Sequence, residues 1–176
     1  TWAHTQVLSA AQADAYDLFG KVVATDGRSI VVGAPAEDSN EEDPASNDVI
    51  NSGAAYVFER AEGTWQQRAV LKAATPVQLE GFGSAIALNG ELLVVGVPDA
   101  AHGEAAKAGR VDLFRRDNDA WTAAGALRAP TPAANDAFGT AVGGVLDYVA
   151  VSAPLRDEDA AGINGEPAGG VLPQSG

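Results

Sequence analysis

The sequence predicts an all-β fold built from repeated units of four antiparallel strands. The first observation is a set of spacings that recurs three times in the 176 residues: Trp, Leu six residues later, Phe-Gly 17 residues after the Trp, and Pro 16 residues after the Phe. The copies start at Trp2, Trp65 and Trp121. The second observation is that short runs rich in Val, Ile and aromatic residues are bounded by Gly, Pro, Asn and Asp, while no long window has a helical period.

The four strands of a unit can be read in order from the first copy. They are "FGKVVATD", "SIVVGAP", "GAAYVFER" and "TWQQRAVLKA". The first two strands are joined by "TDGRS", and their counterparts in the second copy by "LNGEL"; Asp-Gly and Asn-Gly are strong hairpin signals. Four antiparallel strands at this period are typical of a β-propeller blade.

The spacings divide the chain, residues 1–176, into one propeller region. Its predicted parts are an outer strand at 1–10 that completes another blade, blade 1 at 19–73, blade 2 at 82–129 and an incomplete blade 3 at 138–172. A propeller ring typically needs at least four blades. Two arrangements are therefore left open: a partial propeller that belongs to a larger one, and a strand-exchanged oligomeric ring in which 1–10 completes a blade of a second copy.

Composition limits the function classes. The formal net charge of −13 argues against nucleic acid and against anionic membrane surfaces as partners. No apolar run is long enough for membrane insertion. The absence of Cys excludes thiol chemistry, and a chain that starts at Thr1 without Met is expected to be a processed protein or a piece of a longer one. Solubility and a preference for cations or basic partners follow from the charge.

The repeated motifs "FG…VVGAP…GAAYVF" and "FG…VVGVP…GRVDLF" resemble FG-GAP repeats. These repeats form the blades of the integrin alpha-subunit propeller and of many bacterial extracellular proteins. The resemblance implies a β-propeller, usually of seven blades, that works at the cell surface or as a secreted protein in adhesion or partner binding. Many such blades hold calcium in a D-x-D-x-D-G loop between the first two strands. Here "ATDGRS", "ALNGEL" and "GGVLDY" are too short and too poor in carboxylates for that site.

The loops on one face of the predicted blades are the candidate binding sites. In a four-stranded blade the connections after strands 2 and 4 lie on the same face, and here they include the acidic loops 36–52 and 155–168. Asp38, Asn40, Glu42 and Asp43 have the oxygens and the spacing for a hard cation such as calcium. The candidate partner-binding residues are Glu37, Asp38, Glu41, Asp48, Asp99, His102, Asp157, Glu158 and Asp159. The alternative is an acidic loop that serves solubility alone.

A wider charge pattern is predicted around those loops. Asp14, Asp17, Glu80 and Asp136 are expected on the acidic face, and Arg28, Arg60, Arg115 and Arg116 on the opposite face. The Gly of each Phe-Gly is expected to allow close packing near the ring axis, and each Phe and Trp to pack between blades.

Catalysis is not predicted. The two histidines, His4 and His102, fall in different units, and neither a nucleophile elbow nor a metal-binding histidine pair is present. We therefore expect an extracellular binding or adhesion module with a protein or glycan partner. The alternatives are a structural unit that assembles through open strand edges into a surface layer or fibre, and an accessory domain of a secreted hydrolase.

Overall fold

The computed structural model describes residues 1, 3–12, 14–40, 43, 46–118, 120–145 and 148–156, and of Val145 only the backbone. These residues form ten strands and no helix. The strands are β1 (Val22–Thr25), β2 (Ser29–Ala34), β3 (Ala54–Ala61), β4 (Thr64–Leu71), β5 (Ala85–Asn89), β6 (Leu92–Val97), β7 (Arg110–Asp117), β8 (Ala120–Leu127), β9 (Val142–Val145) and β10 (Tyr148–Val151).

The strands pair in simple sequential order. Strands β1 to β4 form one four-stranded antiparallel sheet, which we call blade 1, and β5 to β8 form a second, which we call blade 2. Strands β9 and β10 form a hairpin that begins the third unit. The predicted all-β fold of antiparallel blades is confirmed. Residues 157–172 of the predicted third blade lie outside the described residues.

Strand burial follows from position in the sheet. Strand β2 is an inner strand with apolar clusters on both faces, which explains its continuous run "SIVVGA". The outer strand β4 instead alternates between exposed and half-buried residues from Thr64 to Ala69 and ends at the buried Leu71. At the hairpin between β1 and β2, the Asp26 carboxylate accepts the N–H groups of Arg28 at 2.9 Å and Ser29 at 2.7 Å. The predicted turn chemistry is therefore present.

The blades pack face to face across an apolar layer. Val31 and Val57 of blade 1 meet Leu93, Val95 and Phe114 of blade 2 in this layer, and all five are buried. A second cluster covers the other face of blade 1, where Val32, Tyr56 and Phe58 are buried beneath the chain that precedes β1.

The outer strand predicted for 1–10 is not present: residues 3–10 form no strand. A strand needs a hydrogen-bonding neighbour, and the described residues contain no blade before blade 1 to supply one. The packing expected of such a strand is nevertheless retained. Leu8 and Ala10 lie on the second cluster of blade 1, as their counterparts Leu71 and Ala73 lie on the layer between the blades.

Candidate functional site

Phe82 and Phe138 of the second and third Phe-Gly motifs each join their own unit to the unit before it. Phe82 is fully buried, and its ring stands edge-on to Phe114 with 5.9 Å between centroids. Its N–H donates to the Ser52 carbonyl of blade 1 at 2.9 Å, beside a backbone bridge between Gly53 and Phe82. Phe138 makes the same bond to the Ala108 carbonyl of blade 2 at 3.0 Å. The motif therefore acts between blades.

The glycines of both halves of the motif touch each other across the blade boundary. A Cβ atom on Gly33, in Gly-Ala-Pro of blade 1, would lie 2.2 Å from the carbonyl oxygen of Gly83, in Phe-Gly of blade 2. A Cβ on Gly96 would lie 2.1 Å from the carbonyl oxygen of Gly139. Only glycine fits where backbones approach so closely. Of the Phe-Gly glycines predicted to allow close packing, Gly83 and Gly139 do so, because a Cβ there would lie 2.4 Å from the Ala54 carbonyl oxygen and 2.6 Å from that of Arg110, whereas a Cβ on Gly20 would meet nothing within 4 Å.

Acidic residues two positions before each Phe are not on an acidic surface, contrary to prediction. Asp17, Glu80 and Asp136 are all buried, with at most 6% of the residue exposed. The carboxylate of Asp17 accepts the N–H of Asp14, and that of Asp136 accepts the N–H of Ala133, each at 2.8 Å. These two side chains close the turn that leads into Phe-Gly, and Glu80 instead pairs with Arg110 at 2.7 Å.

Glu37 was predicted to contact a partner, but it is buried in an ion pair with Lys72. Both side chains are only 4% exposed, and Lys72 also donates to the Ser39 hydroxyl at 3.1 Å. Burial lowers the pKa of Lys72, while the hydrogen bond and the charge of Glu37 act in the opposite direction. Glu37 is therefore part of the interior, and it is unavailable to a ligand at the surface.

Two of the four candidate cation ligands of loop 36–52, Asp38 and Asn40, hold the loop through their side chains. The Asp38 carboxylate accepts the N–H of Asn51 at 2.6 Å, and the Asn40 side-chain oxygen accepts the N–H of Asp43 at 2.7 Å. Glu41 and Glu42 lie outside the described residues. Among the residues that are described, no group of three or more His, Cys, Asp or Glu side chains could hold a metal ion. Calcium binding stays a prediction.

Two loops of the predicted binding face are in contact. The Asn47 side-chain amide donates to the Asp14 carboxylate at 3.1 Å, and that of Asn40 donates to Asp48 at 3.2 Å. We call the surface formed by the described residues of loops 11–17, 36–52, 74–80 and 99–108 the loop face. It exposes the carboxylates of Asp14, Asp43 and Asp48.

The loop of blade 2 carries two further candidates on the loop face. Asp99 forms an ion pair with Lys107 at 2.9 Å, in which both side chains are largely exposed. His102 is exposed, and its backbone exchanges two hydrogen bonds with Ala105 at 3.0 Å. Asp157, Glu158 and Asp159 lie outside the described residues.

Arg116 is the exception among the arginines predicted for the opposite face. It is buried between the blades, where it pairs with Glu59 and donates to the Ser29 hydroxyl, both in blade 1. Its guanidinium lies 4.8 Å from the centre of the Trp121 ring. Arg28, Arg60 and Arg115 are exposed. Sequence spacing could not reveal the role of Arg116, because its partners are 57 and 87 residues away.

Asp17→Asn tests the electrostatics of the turn before Phe19. Burial raises the pKa of Asp17 above 3.8; the Asp14 N–H opposes this shift, and the Glu37, Asp14 and Asp38 carboxylates add to it. Because the folded-state pKa is raised, the charge of Asp17 destabilises the fold increasingly as the pH rises above 3.8. This cost vanishes below pH 3.8, where Asp17 is protonated in both the folded and the unfolded states.

We expect this variant to unfold at a higher urea concentration than wild type at pH 7. The asparagine oxygen can still accept the Asp14 N–H. The advantage should shrink as the pH falls, and the two unfolding midpoints should converge below the ordinary aspartate pKa of 3.8. A difference that does not change with pH would contradict the assignment.

Comparison with known families agrees with this architecture. The sequence model of the FG-GAP repeat family matches residues 2–58, which contain the Phe-Gly and Gly-Ala-Pro of blade 1. Residues 2–58 are thus similar to an FG-GAP repeat, the unit that forms β-propeller blades. No curated protein matches the sequence. Within the described residues, no helix is long and apolar enough to cross a membrane.

Proposed function

We propose that the chain is an extracellular binding module whose loop face binds a basic segment of a protein partner or a cationic glycan. The observation that carries the proposal is the contact between loops 11–17 and 36–52, which brings Asp14, Asp43 and Asp48 to one surface. Their loops are held by the side chains of Asn40 and Asn47. Binding through side chains that are already held in place loses less conformational entropy.

A binding role without catalysis is the simplest account of this surface. FG-GAP repeats typically occur in extracellular proteins, which supports the location. The exposed carboxylates favour cationic groups, and the net charge of −13 would steer such a partner towards the protein. The proposed role involves no catalytic activity, and hydrolysis of a substrate by the chain itself would contradict this proposal.

A tethered Lys-rich peptide tests the proposal. We expect it to bind the chain with an affinity that falls as salt rises. Asp43→Asn combined with Asp48→Asn should weaken binding at least tenfold, whereas Asp117→Asn, a change of charge at the end of β7, should leave it nearly unchanged. Equal losses of affinity in the double variant and in Asp117→Asn would mean that net charge, and not the loop face, attracts the peptide.

The calcium hypothesis for Asp38, Asn40, Glu42 and Asp43 has a separate test. If the loop holds calcium, the Tm should rise with millimolar CaCl2 and fall on addition of a chelator, and Asp43→Asn should abolish the rise. A Tm that calcium leaves unmoved would reject the hypothesis without affecting the peptide experiment.

One observation favours the second candidate, assembly into a larger structure. Just before blade 2, the N–H groups of Leu79, Gly81 and Phe82 donate to carbonyls of the loop between β2 and β3 in blade 1. The N–H groups of residues 135, 137 and 138 donate in the same way to carbonyls of the loop between β6 and β7 in blade 2. The counterparts in blade 1, residues 16, 18 and 19, donate to no carbonyl of the described residues. Val23 is 57% exposed, whereas its counterpart Ile86, against blade 1, is 8% exposed.

This open face of blade 1, which includes the exposed Tyr16, Leu18 and Val23, matches the surface by which blade 2 docks on blade 1. Sedimentation over a range of concentrations tests whether it joins copies of the chain. We expect association that Val23→Glu abolishes and that Val77→Glu, at an exposed valine of the connection between blades 1 and 2, leaves intact. A monomer at all concentrations would exclude self-assembly but would leave the binding proposal standing.

A further inference from the structure

A cleft of about 360 Å³ opens between blade 2 and the chain that leaves blade 1. Thr75 lines it from the blade 1 side, and Arg110, Phe114, Ala126 and Arg128 line it from β7, β8 and the residue after β8. Arg110 begins β7 and Arg128 follows the end of β8, so the cleft lies at the loop-face ends of these strands. Its volume is within the range of small-ligand sites.

The same place in blade 1 is filled by larger side chains. Tyr56 pairs across the strands with Val70, whereas the equivalent pair in blade 2 is Asp112 with Ala126. Tyr56 is only 1% exposed, so its ring is packed in the interior.

A third replacement lies opposite the repeated Phe. Phe58 pairs with Gln67 in blade 1, whereas Phe114 pairs with Ala123 in blade 2. The Gln67 side chain accepts the N–H of Ala11 at 2.9 Å, which ties the preceding segment over blade 1. Three of the residues that line the cleft, Asp112, Ala123 and Ala126, are therefore smaller than their counterparts in blade 1. Protein interiors are normally close-packed, as this place is in blade 1. The opening in blade 2 is therefore not a requirement of blade packing.

The charges of the cleft are also changed relative to blade 1. Arg110 replaces Ala54 and is buried between two carboxylates, at 2.9 Å from Asp112 and 2.7 Å from Glu80. Arg128 replaces Lys72, the buried lysine that pairs with Glu37. Arg128 is exposed, and nothing in the described part of the chain forms an ion pair or hydrogen bond with it. The cleft thus combines an apolar wall with one guanidinium that has no counter-charge.

We propose that this cleft binds a carboxylate carried on a short apolar stem, with Arg128 pairing with the carboxylate and Phe114, Ala123 and Ala126 contacting the stem. The planar guanidinium fork matches a carboxylate in geometry. A singly charged group is favoured over a phosphate dianion because Asp112 and Glu80 stand beside the site. The carboxylate comes from a free short-chain acid or from a glutamate side chain of a polypeptide.

NMR titration of the whole chain tests the proposal. Butyrate should shift the backbone amide signals of Thr75, Ala126 and Arg128 in a saturable way, with a Kd on the order of millimolar for so small a ligand. Butyramide, which has the same stem without the charge, should not. A blocked Gly-Glu-Gly peptide and its Gln counterpart form the second arm. Tighter binding of the acid or of the Glu peptide identifies the source.

Variants separate the charge from the shape of the site. Arg128→Gln should lower the affinity for the better acidic probe at least tenfold, and so should Ala126→Val, which restores the side chain of blade 1 without changing the charge. Arg68→Gln is the matched control, because Arg68 is exposed on the equivalent outer strand of blade 1. Equal shifts by acid and amide, no saturable shift by either acidic probe, or equal losses in Arg128→Gln and Arg68→Gln would overturn the proposal.

Discussion

Replacing Lys72 by Met is expected to lower the free energy of unfolding by about 3–5 kcal/mol. The reason is that Glu37 would keep its charge in a position where its side chain is 4% exposed, but would lose the only cation that it contacts among the described residues. Methionine preserves most of the aliphatic stem, so loss of packing contributes little. Urea denaturation at pH 7 gives the free energy directly from the midpoint and slope.

Two further variants distinguish the burial of this pair from ion pairing in general. Lys72→Met combined with Glu37→Leu should recover most of the loss, since replacing both members of a buried pair by apolar side chains is often neutral. Lys107→Met breaks the exposed pair with Asp99 and should cost less than about 1 kcal/mol. Similar small losses in Lys72→Met and Lys107→Met would show that Glu37 is not held in the interior.

Gly83→Ala is the second change with a large expected effect, a loss of about 2–5 kcal/mol. The φ of Gly83 is +88°, a conformation that costs other residues about 1–2 kcal/mol. The new Cβ would also lie 2.4 Å from the Ala54 carbonyl oxygen of blade 1, so the blades must separate locally. Forcing atoms into a packed contact costs roughly a further 1–3 kcal/mol. The free energy of unfolding in urea measures the total.

The fold could be predicted because its signals are local and repeated. The turn at Asp26-Gly27, the apolar run of β2 and the spacing from Phe19 to Pro35 all lie within one unit, and each has its counterpart in the next. A run of β-formers between turn signals is sufficient to assign a strand in such a pattern. The exception is the segment 3–10, because its strand character depends on a neighbouring sheet that the segment itself does not specify.

The roles of the acidic residues could not be predicted in the same way. Glu37 and Asp38 are adjacent in one polar loop, yet the first reaches Lys72 in the interior and the second binds the N–H of Asn51. The buried acid before each Phe also differs in its surroundings. Glu80 pairs with Arg110, which starts β7, and Asp136 lies 3.6 Å from Arg156, which follows β10. The two arginines occupy different positions of the repeat, so a constant spacing in the sequence could not identify them.

The cleft could not be predicted without knowledge of the strand register. Asp112, Ala123 and Ala126 are unremarkable in the sequence, and their common face becomes evident only when the pairing of β7 with β8 is known. That pairing contains an irregularity between Leu113 and Phe114, which also occurs between Val57 and Phe58 in blade 1. A one-residue error in register would have placed these side chains on the wrong face.

Phe-Gly and Gly-Ala-Pro act together across the boundary between blades. The most direct test compares Gly83→Ala with Gly20→Ala, which is the same motif position with nearly the same φ, +88° and +91°. A Cβ on Gly20 would meet nothing within 4 Å, so only the backbone cost of about 1–2 kcal/mol is expected there. A clearly larger loss of unfolding free energy for Gly83→Ala supports the claim, and equal losses in the two variants would contradict it.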